Sequence, residues 1–379
     1  SKQGFDMTLG EDAYIYYAYS ENYDISIKKI SSSGEVEWSV LAVDNSADDI
    51  IKAIYPYPGS GCVIIYESQG FMEGSHIYAL AIDETGQIPI GWPVMISDLA
   101  GNQYYESSAL AGSGIFVSFK DNSSGNYDVY GQHMAFDGTL MDPSGLSISV
   151  ENDDQQSSTV AYSQEQDEVL ICYEVPDGSE TDIFCNEINL SDQSVDEPIV
   201  LSDNIFNQKN PFVYWSGHSF MISWEDSRNS TDASPEQDIY FQEYIDDEIL
   251  FAPGGEALCI FPLKQERPII SKYSDSDNSY IILWEDYRST GKEFCANLYG
   301  QSYQSERCCA LGNMNCDVDS NGNDSFNVLD IVTLANCVLA GNCSNLTYAC
   351  TADLNGDGDY NILDVVTLAN CVLAQNCGG

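Results

Sequence analysis

Ile115-Phe116-Val117-Ser118-Phe119 runs into a polar turn, after which Asp128-Val129-Tyr130 opens a second apolar run. Short β-branched and aromatic runs bounded by Gly, Ser, Asn and Asp predict paired strands. The phrase recurs through the first 303 residues, its second half reading Asp24-Ile25-Ser26, His76-Ile77-Tyr78, Asp128-Val129-Tyr130, Asp182-Ile183-Phe184, Asp238-Ile239-Tyr240 and Asn297-Leu298-Tyr299. Successive copies lie 52, 52, 54, 56 and 59 residues apart. A period of about fifty residues suits one four-stranded blade, so the repeats predict a mainly β chain with a six-bladed β-propeller over residues 1–303. The last repeat offers three strands, Arg267 to Tyr273, Ser279 to Asp286 and Cys295 to Tyr303, before Cys308-Cys309. Either the segment Gly4 to Thr8 closes the ring, or one blade keeps an edge open to pairing with another chain.

Two copies carry a fuller motif. Trp224-Glu225-Asp226-Ser227-Arg228 precedes Asp238-Ile239-Tyr240-Phe241-Gln242, and Trp284-Glu285-Asp286-Tyr287-Arg288 precedes Tyr299-Gly300-Gln301. This resembles the WEDxR…DIYxQ repeats of secreted bacterial propellers, and the earlier copies match it only in their second half, as in Asp128-Val129-Tyr130-Gly131-Gln132. The resemblance implies structural roles for the Trp, Asp and Arg. Arg288 beside Asp286 is expected to tie a turn to its neighbour.

The C-terminal end carries a different chemistry. Residues 353–364 read Asp-Leu-Asn-Gly-Asp-Gly-Asp-Tyr-Asn-Ile-Leu-Asp, a twelve-residue loop with oxygen-bearing side chains at places one, three, five and nine and a carboxylate at twelve. A hard cation needs six to eight oxygens, so the chain must wrap around it, and Gly358 sits where the loop turns. Asp353, Asn355, Asp357, Asn361 and Asp364 are the expected calcium ligands, with Asp359 contributing its carbonyl. The loop recurs 34 residues earlier, where Asp319, Asn321, Asn323, Ser325, Asn327 and Asp330 form a second, weaker site with Asp324 in place of the turn glycine. An amphipathic helix is predicted after each loop, Leu329 to Leu339 and Leu363 to Leu373.

Two loop–helix units in tandem resemble a type I dockerin, a calcium-dependent plug that inserts into cohesin modules. The resemblance spans 313–379, after a linker at 304–312, and implies that the duplicated helices bind a protein partner. Val328, Leu329, Ile362 and Leu363 occupy the places where cellulosomal dockerins commonly carry Ser or Thr for partner recognition.

The chain of 379 residues holds 60 Asp and Glu against 13 Lys and Arg, a formal net charge of −47. Such a balance argues against a nucleic-acid surface, which needs basic clusters, and against anionic membranes. Self-repulsion of this size predicts a saline or calcium-rich setting. No apolar run is long enough to span a bilayer and no signal segment opens the chain, so in an exported protein Ser1 is a processed terminus. Of 13 cysteines, Cys62, Cys172, Cys185, Cys259 and Cys295 are scattered. Cys308, Cys309, Cys316, Cys337, Cys343, Cys350, Cys371 and Cys377 crowd the C-terminal end and, with no CxxC spacing, predict disulfides of an oxidising compartment.

No catalytic motif stands out. His76, His133 and His218 belong to no HExxH pattern, GxSxG and Walker loops are missing, and Arg228, Arg267, Arg288 and Arg307 are too few for a sialidase-like arginine cluster. Sixty carboxylates offer too many acid pairs to choose one. The sequence reading is therefore a non-enzymatic, extracellular assembly protein. Its calcium module would dock onto a protein partner, plausibly the propeller of the next copy, in a head-to-tail filament. The alternatives are a carbohydrate-binding or carbohydrate-degrading component recruited to a cohesin scaffold, and a cell-surface adhesion propeller.

Overall fold

The computed structural model describes residues 4–70, 74–150, 152–178, 180–230, 236–245, 248–274, 279–288, 296–304, 326–341, 343, 354 and 360–374. The chain divides into two compact units, Ser1–Lys272 with Ile281–Gln301, and Tyr273–Tyr280 with Ser302–Gly379.

Six antiparallel sheets follow one another along the chain. Sheet 1 holds β1 (Phe5–Leu9), β2 (Ile15–Glu21), β3 (Asp24–Ile30) and β4 (Val36–Val43). Sheet 2 holds β5 (Asp48–Pro56), β6 (Gly61–Gly70), β7 (Gly74–Asp83) and β8 (Val94–Met95). Sheet 3 holds β9 (Gln103–Ala111), β10 (Gly114–Asp121), β11 (Asp128–Ala135) and β12 (Leu146–Ser149). Sheet 4 holds β13 (Gln156–Ser163), β14 (Glu168–Asp177), β15 (Glu180–Asn189) and β16 (Ile199–Ser202). Sheet 5 holds β17 (Gln208–Trp215), β18 (Phe220–Asp226), β19 (Asp238–Ile245) and β20 (Glu248–Ile249), with β21 (Glu256–Cys259) also pairing β19. Sheet 6 holds β22 (Gln265–Ser274), β23 (Ser279–Asp286) and β24 (Asn297–Gln304).

The order within each sheet is the meander of a propeller blade, and the first strand of one sheet packs on the first strand of the next from β1 to β5, β9, β13 and β17. The repeated Asp-apolar-aromatic phrase falls in the third strand of every sheet. Phe5–Leu9 pairs with β2, so the N-terminal segment founds the first sheet instead of completing the sixth, which has three strands among the described residues.

Middle strands are buried on both faces, and their alternation binds sheet to sheet. Ile64 of β6 joins Tyr16, Ile25 and Ile27 of sheet 1, while its neighbours Val63 and Ile65 join Ile115, Val117 and Phe119 of sheet 3. Trp224 is the largest fully buried side chain, and its indole Nε1 donates to Asp226 Oδ2 at 3.0 Å. Arg228 Nε donates to Asp226 Oδ1 at 2.9 Å, and its guanidinium lies 3.9 Å over the Tyr240 ring. Sheet 6 repeats the arrangement, with Trp284 and Arg288 both donating to Asp286. Gly255, at φ 68°, lets the backbone pass this corner, since a Cβ there would sit 2.4 Å from the Trp224 ring.

The other unit contributes two short helices, α1 (Val328–Ala340) and α2 (Ile362–Ala374). They bury Leu334 against Leu368, with Cys337, Cys343, Ile331 and Val365 around them. Asn327 caps α1 by accepting from Leu329 N, and Gly341 ends it in the left-handed region at φ 63°. Among the described residues no helix is long and apolar enough to cross a membrane.

Candidate functional site at the inner strands

The first strand of a sheet does not run straight. Register shifts mark bulges at Ile51/Ala53 in β5, opposite Ser118/Phe119 in β9, at Gln156/Thr159 in β13 and at Lys209/Phe212 in β17. A bulge frees a backbone N–H from the ladder and re-aims side chains. Each freed N–H is taken up by an oxygen anchored on the preceding sheet. Ile51 N donates to Ser20 Oγ at 2.8 Å, Tyr105 N to Glu67 Oε1 at 2.8 Å and Ser158 N to Glu106 Oε2 at 2.7 Å. Asn210 N donates to Glu174 Oε1 and Arg267 N to Glu225 Oε1, both at 2.8 Å. Five successive sheet–sheet contacts are therefore clasped the same way. Ser157, Asn210 and Arg267 hold φ of 56°, 50° and 56°, strained values for side chains of this kind.

The bulges of sheets 3 to 5 and the Arg267-Pro268 stretch of sheet 6 line a cavity of about 660 Å³, formed by Tyr105, Glu106, Ser107, Ser157, Ser158, Thr159, Asn210, Pro211, Phe212, Arg267 and Pro268. Glu106 is the extra residue of the β9 bulge, so its carboxyl reaches the cavity wall. Lys120 Nζ pairs with Glu106 Oε1 at 3.0 Å. Burial raises the Glu106 carboxyl above its ordinary range, with Lys120 and the Ser158 N–H opposing. Behind the wall, buried Glu225 accepts from the Arg267 and Asn210 groups on Oε1 and from Gln237 Nε2 on Oε2 at 3.0 Å. Desolvation pushes it to about 7, against the Arg267 N–H and the Asn210 amide. Tyr105 and Tyr55 share the Ser108 hydroxyl at 2.8 and 2.7 Å. A polar wall with ring faces and a buried carboxyl can hold a polyhydroxylated ligand and exchange a proton with it.

Sequence reasoning missed this cavity because its groups come from four repeats and meet only through bulges. The signal that locates part of it is the acid after the aromatic in Tyr66-Glu67, Tyr173-Glu174, Trp224-Glu225 and Trp284-Glu285.

Of the expected calcium ligands, Asn327, Asp330, Asn361 and Asp364 are described; Asp319, Asn321, Asn323, Ser325, Asp353, Asn355, Asp357 and Asp359 lie outside the described residues. Asp330 and Asp364 are fully buried at matching places, and each accepts a backbone N–H at 2.8 Å, from Asn327 and Asn361. A buried carboxylate at the twelfth loop place fits a cation ligand. Val328, Leu329, Ile362 and Leu363 are exposed at the two helix starts. Cys337 bonds Cys343, and Cys371 is also disulfide-bonded; Cys308, Cys309, Cys316, Cys350 and Cys377 lie outside the described residues. A further disulfide, unforeseen in the sequence, joins Cys172 to Cys185 across β14 and β15. Cys62 and Cys259 are free and buried, and desolvation pushes the Cys62 thiol up to about 12.

No protein-family profile matches the chain, and no curated protein does. Solved structures do. An α-L-arabinofuranosidase from Fusarium graminearum is 12% identical over 79% of this chain and 92% of that chain, with a TM-score of 0.45. An endo-arabinase from Bacteroides thetaiotaomicron is 11% identical over 67% of this chain and 95% of that chain, at 0.35. The Trypanosoma rangeli sialidase is 13% identical over 75% of this chain and 52% of that chain, at 0.43. The propeller assignment itself rests on the six successive sheets. The expectation of a non-enzymatic, filament-forming assembly protein is corrected: several of the solved structures to which the chain is similar are glycoside hydrolases.

Proposed function

We propose that the propeller, 1–303, is a carbohydrate-degrading module whose saccharide site is the cavity at the inner strands. The observation that carries this reading is Glu106, a buried carboxyl with a raised pKa in a wall shared with Tyr105, Phe212, Asn210 and Arg267. Glu106 is the assigned proton donor, since burial raises its carboxyl and so favours the protonated form that can protonate a leaving glycosidic oxygen as water attacks the sugar carbon. Asn210 and Arg267 supply hydrogen bonds to sugar hydroxyls, and Glu225 positions both of them from behind. The protein works outside the cell, a setting with which the Cys172–Cys185 and Cys337–Cys343 disulfides agree.

The dockerin-like module, 313–379, attaches the propeller to a protein partner through Val328, Leu329, Ile362 and Leu363. Calcium bound by Asp353, Asn355, Asp357, Asp359, Asn361 and Asp364, and by the loop from Asp319 to Asp330, would hold the helix starts in place. The buried Asp330 and Asp364 support that reading.

The test is hydrolysis of a panel of plant and microbial polysaccharides and chromogenic glycosides, with Glu106→Gln beside the parent. Gln keeps an acceptor for Ser158 N, so circular dichroism should be unchanged while kcat/KM falls by about 10²–10⁴. Turnover unaffected by Glu106→Gln, or saccharide binding without turnover by the parent, overturns the assignment.

A further inference from the structure

One corner of sheet 3 carries charge that the protein does not balance. Gln103 of β9, Asp121 of β10 and Asp128 of β11 are direct partners in register, so their side chains stand side by side on one face. All three are fully buried. The donors they receive are neutral. Ser123 N donates to Asp121 Oδ1 at 2.7 Å, and Ser124 Oγ and Asn126 Nδ2 donate to Asp128 at 2.5 and 3.0 Å. Lys120 points to the other face and pairs with Glu106. Asp121 Oδ2 and Gln103 Oε1 are buried and meet no donor, while Gln103 Nε2 is committed to the carbonyls of Ser97 and Leu99.

The same corner in the other sheets shows what is missing. Sheet 5 aligns Gln208, Asp226 and Asp238, and Arg228, two residues after Asp226, pairs with it. Sheet 6 does the same with Arg288 on Asp286. Sheet 4 puts Val175 opposite Asp182, removing one carboxylate, and sheet 2 puts Ser68 between Asp49 and His76. In sheet 3 the place of Arg228 is taken by Ser123, two residues after Asp121. The unmet glutamine oxygen recurs at Gln155, Gln208 and Gln265, but a buried pair of carboxylates without a cation belongs to sheet 3.

We propose that this corner is a divalent-cation site of calcium type, with Asp121 and Asp128 as carboxylate ligands and the Gln103 amide oxygen as a third. Carboxylates held side by side out of water repel each other, and a positive charge between them removes that repulsion. Every available donor is oxygen, which selects a hard cation, and two carboxylates with neutral oxygens suit calcium completed by water. The ion does in sheet 3 what the arginines do in sheets 5 and 6, fixing the turn between the second and third strands. This site is separate from the two C-terminal loops and does not depend on the carbohydrate reading.

The experiment is isothermal titration of the full chain with calcium, comparing the parent with Ser123→Arg, which copies the arginine of sheets 5 and 6. Ser123→Arg should bind one calcium fewer per chain, while equivalents owed to the C-terminal loops remain. Asp128→Asn, which keeps the shape of the side chain, should lose the same equivalent and serves if the arginine variant does not fold. Crystals soaked in calcium should show an anomalous peak about 2.3–2.6 Å from Asp121 and Asp128 oxygens. Unchanged stoichiometry in both variants, or a water or a shared proton at the corner in calcium-soaked crystals, overturns the proposal.

Discussion

In sheet 5, Phe220, Ile222 and Trp224 are buried against sheet 4, and the strand that carries them pairs with β17 on one side and β19 on the other. Around the two helices, apolar burial among the described residues is confined to Leu334, Leu368, Cys337 and Cys343, while Leu339 and Leu373 stand 86% and 83% exposed. In the propeller, apolar side chains fill the space between sheets and four glutamates clasp one sheet to the next. The helices keep much of their apolar surface outward, and a core of that size needs disulfides or metal beside it. The contrast teaches that polar residues in the propeller carry stability, whereas apolar residues at the helix starts do not.

The first way to break that contrast is to strip a cation from a propeller corner. Arg228→Met leaves the Asp226 carboxylate fully buried and facing only neutral donors. Removing one partner of a buried pair costs about 3–5 kcal/mol. An unfolding free energy from chemical denaturation lowered by that amount is expected, and the paired change Arg228→Met with Asp226→Leu should recover much of it. A loss under about 1 kcal/mol would mean that the corner is not a structural ion pair.

A smaller effect comes from the clasp acids. Glu225 is a carboxyl whose folded pKa, about 7, lies above its unfolded value because burial disfavours its charge. Between the two values the folded state binds more protons, so stability falls as pH rises from about 4.5 to about 7 and levels off beyond. Across that window Glu225 alone accounts for about 3 kcal/mol. Glu225→Gln should flatten that part of the curve of stability against pH while retaining an acceptor for Arg267 N. Parallel curves for the parent and the variant would remove Glu225 as the titrating group.

The legible part of this molecule is what repeats locally. Apolar runs such as Ile115 to Phe119 lie in second strands, the Asp-apolar-aromatic phrases fall in third strands, and the expected helices Leu329 to Leu339 and Leu363 to Leu373 form within one residue at each end. Trp224, Asp226 and Arg228 are structural, as their resemblance to repeat motifs implies. The illegible part is what depends on register between repeats. Glu106 reaches the cavity only because β9 bulges there, and Ser158, whose N–H it accepts, lies 52 residues away. Cys172 meets Cys185 only because β14 and β15 pair them directly. Neither relation leaves a mark in spacing alone. Acid content hid the site as well, since the clasping glutamates are indistinguishable in sequence from solvated ones.

The smallest effect sharpens the comparison from the helical side. Leu329 and Leu363 are exposed at equivalent places on α1 and α2, and the first turns there are held by Asn327 with Asp330 and by Asn361 with Asp364 rather than by these leucines. Replacing an exposed side chain away from such features changes stability by less than about 0.5 kcal/mol. Leu329→Ser with Leu363→Ser should therefore leave the thermal midpoint of the full chain in calcium nearly unchanged, unlike a single serine at buried Leu368. If the exposed pair lowers the midpoint as much as Leu368→Ser does, these leucines are packed by the chain itself and the face is core. An unchanged midpoint leaves two apolar patches whose cost to solubility is explained by a partner that covers them, and the same variant then becomes the reagent for measuring that docking.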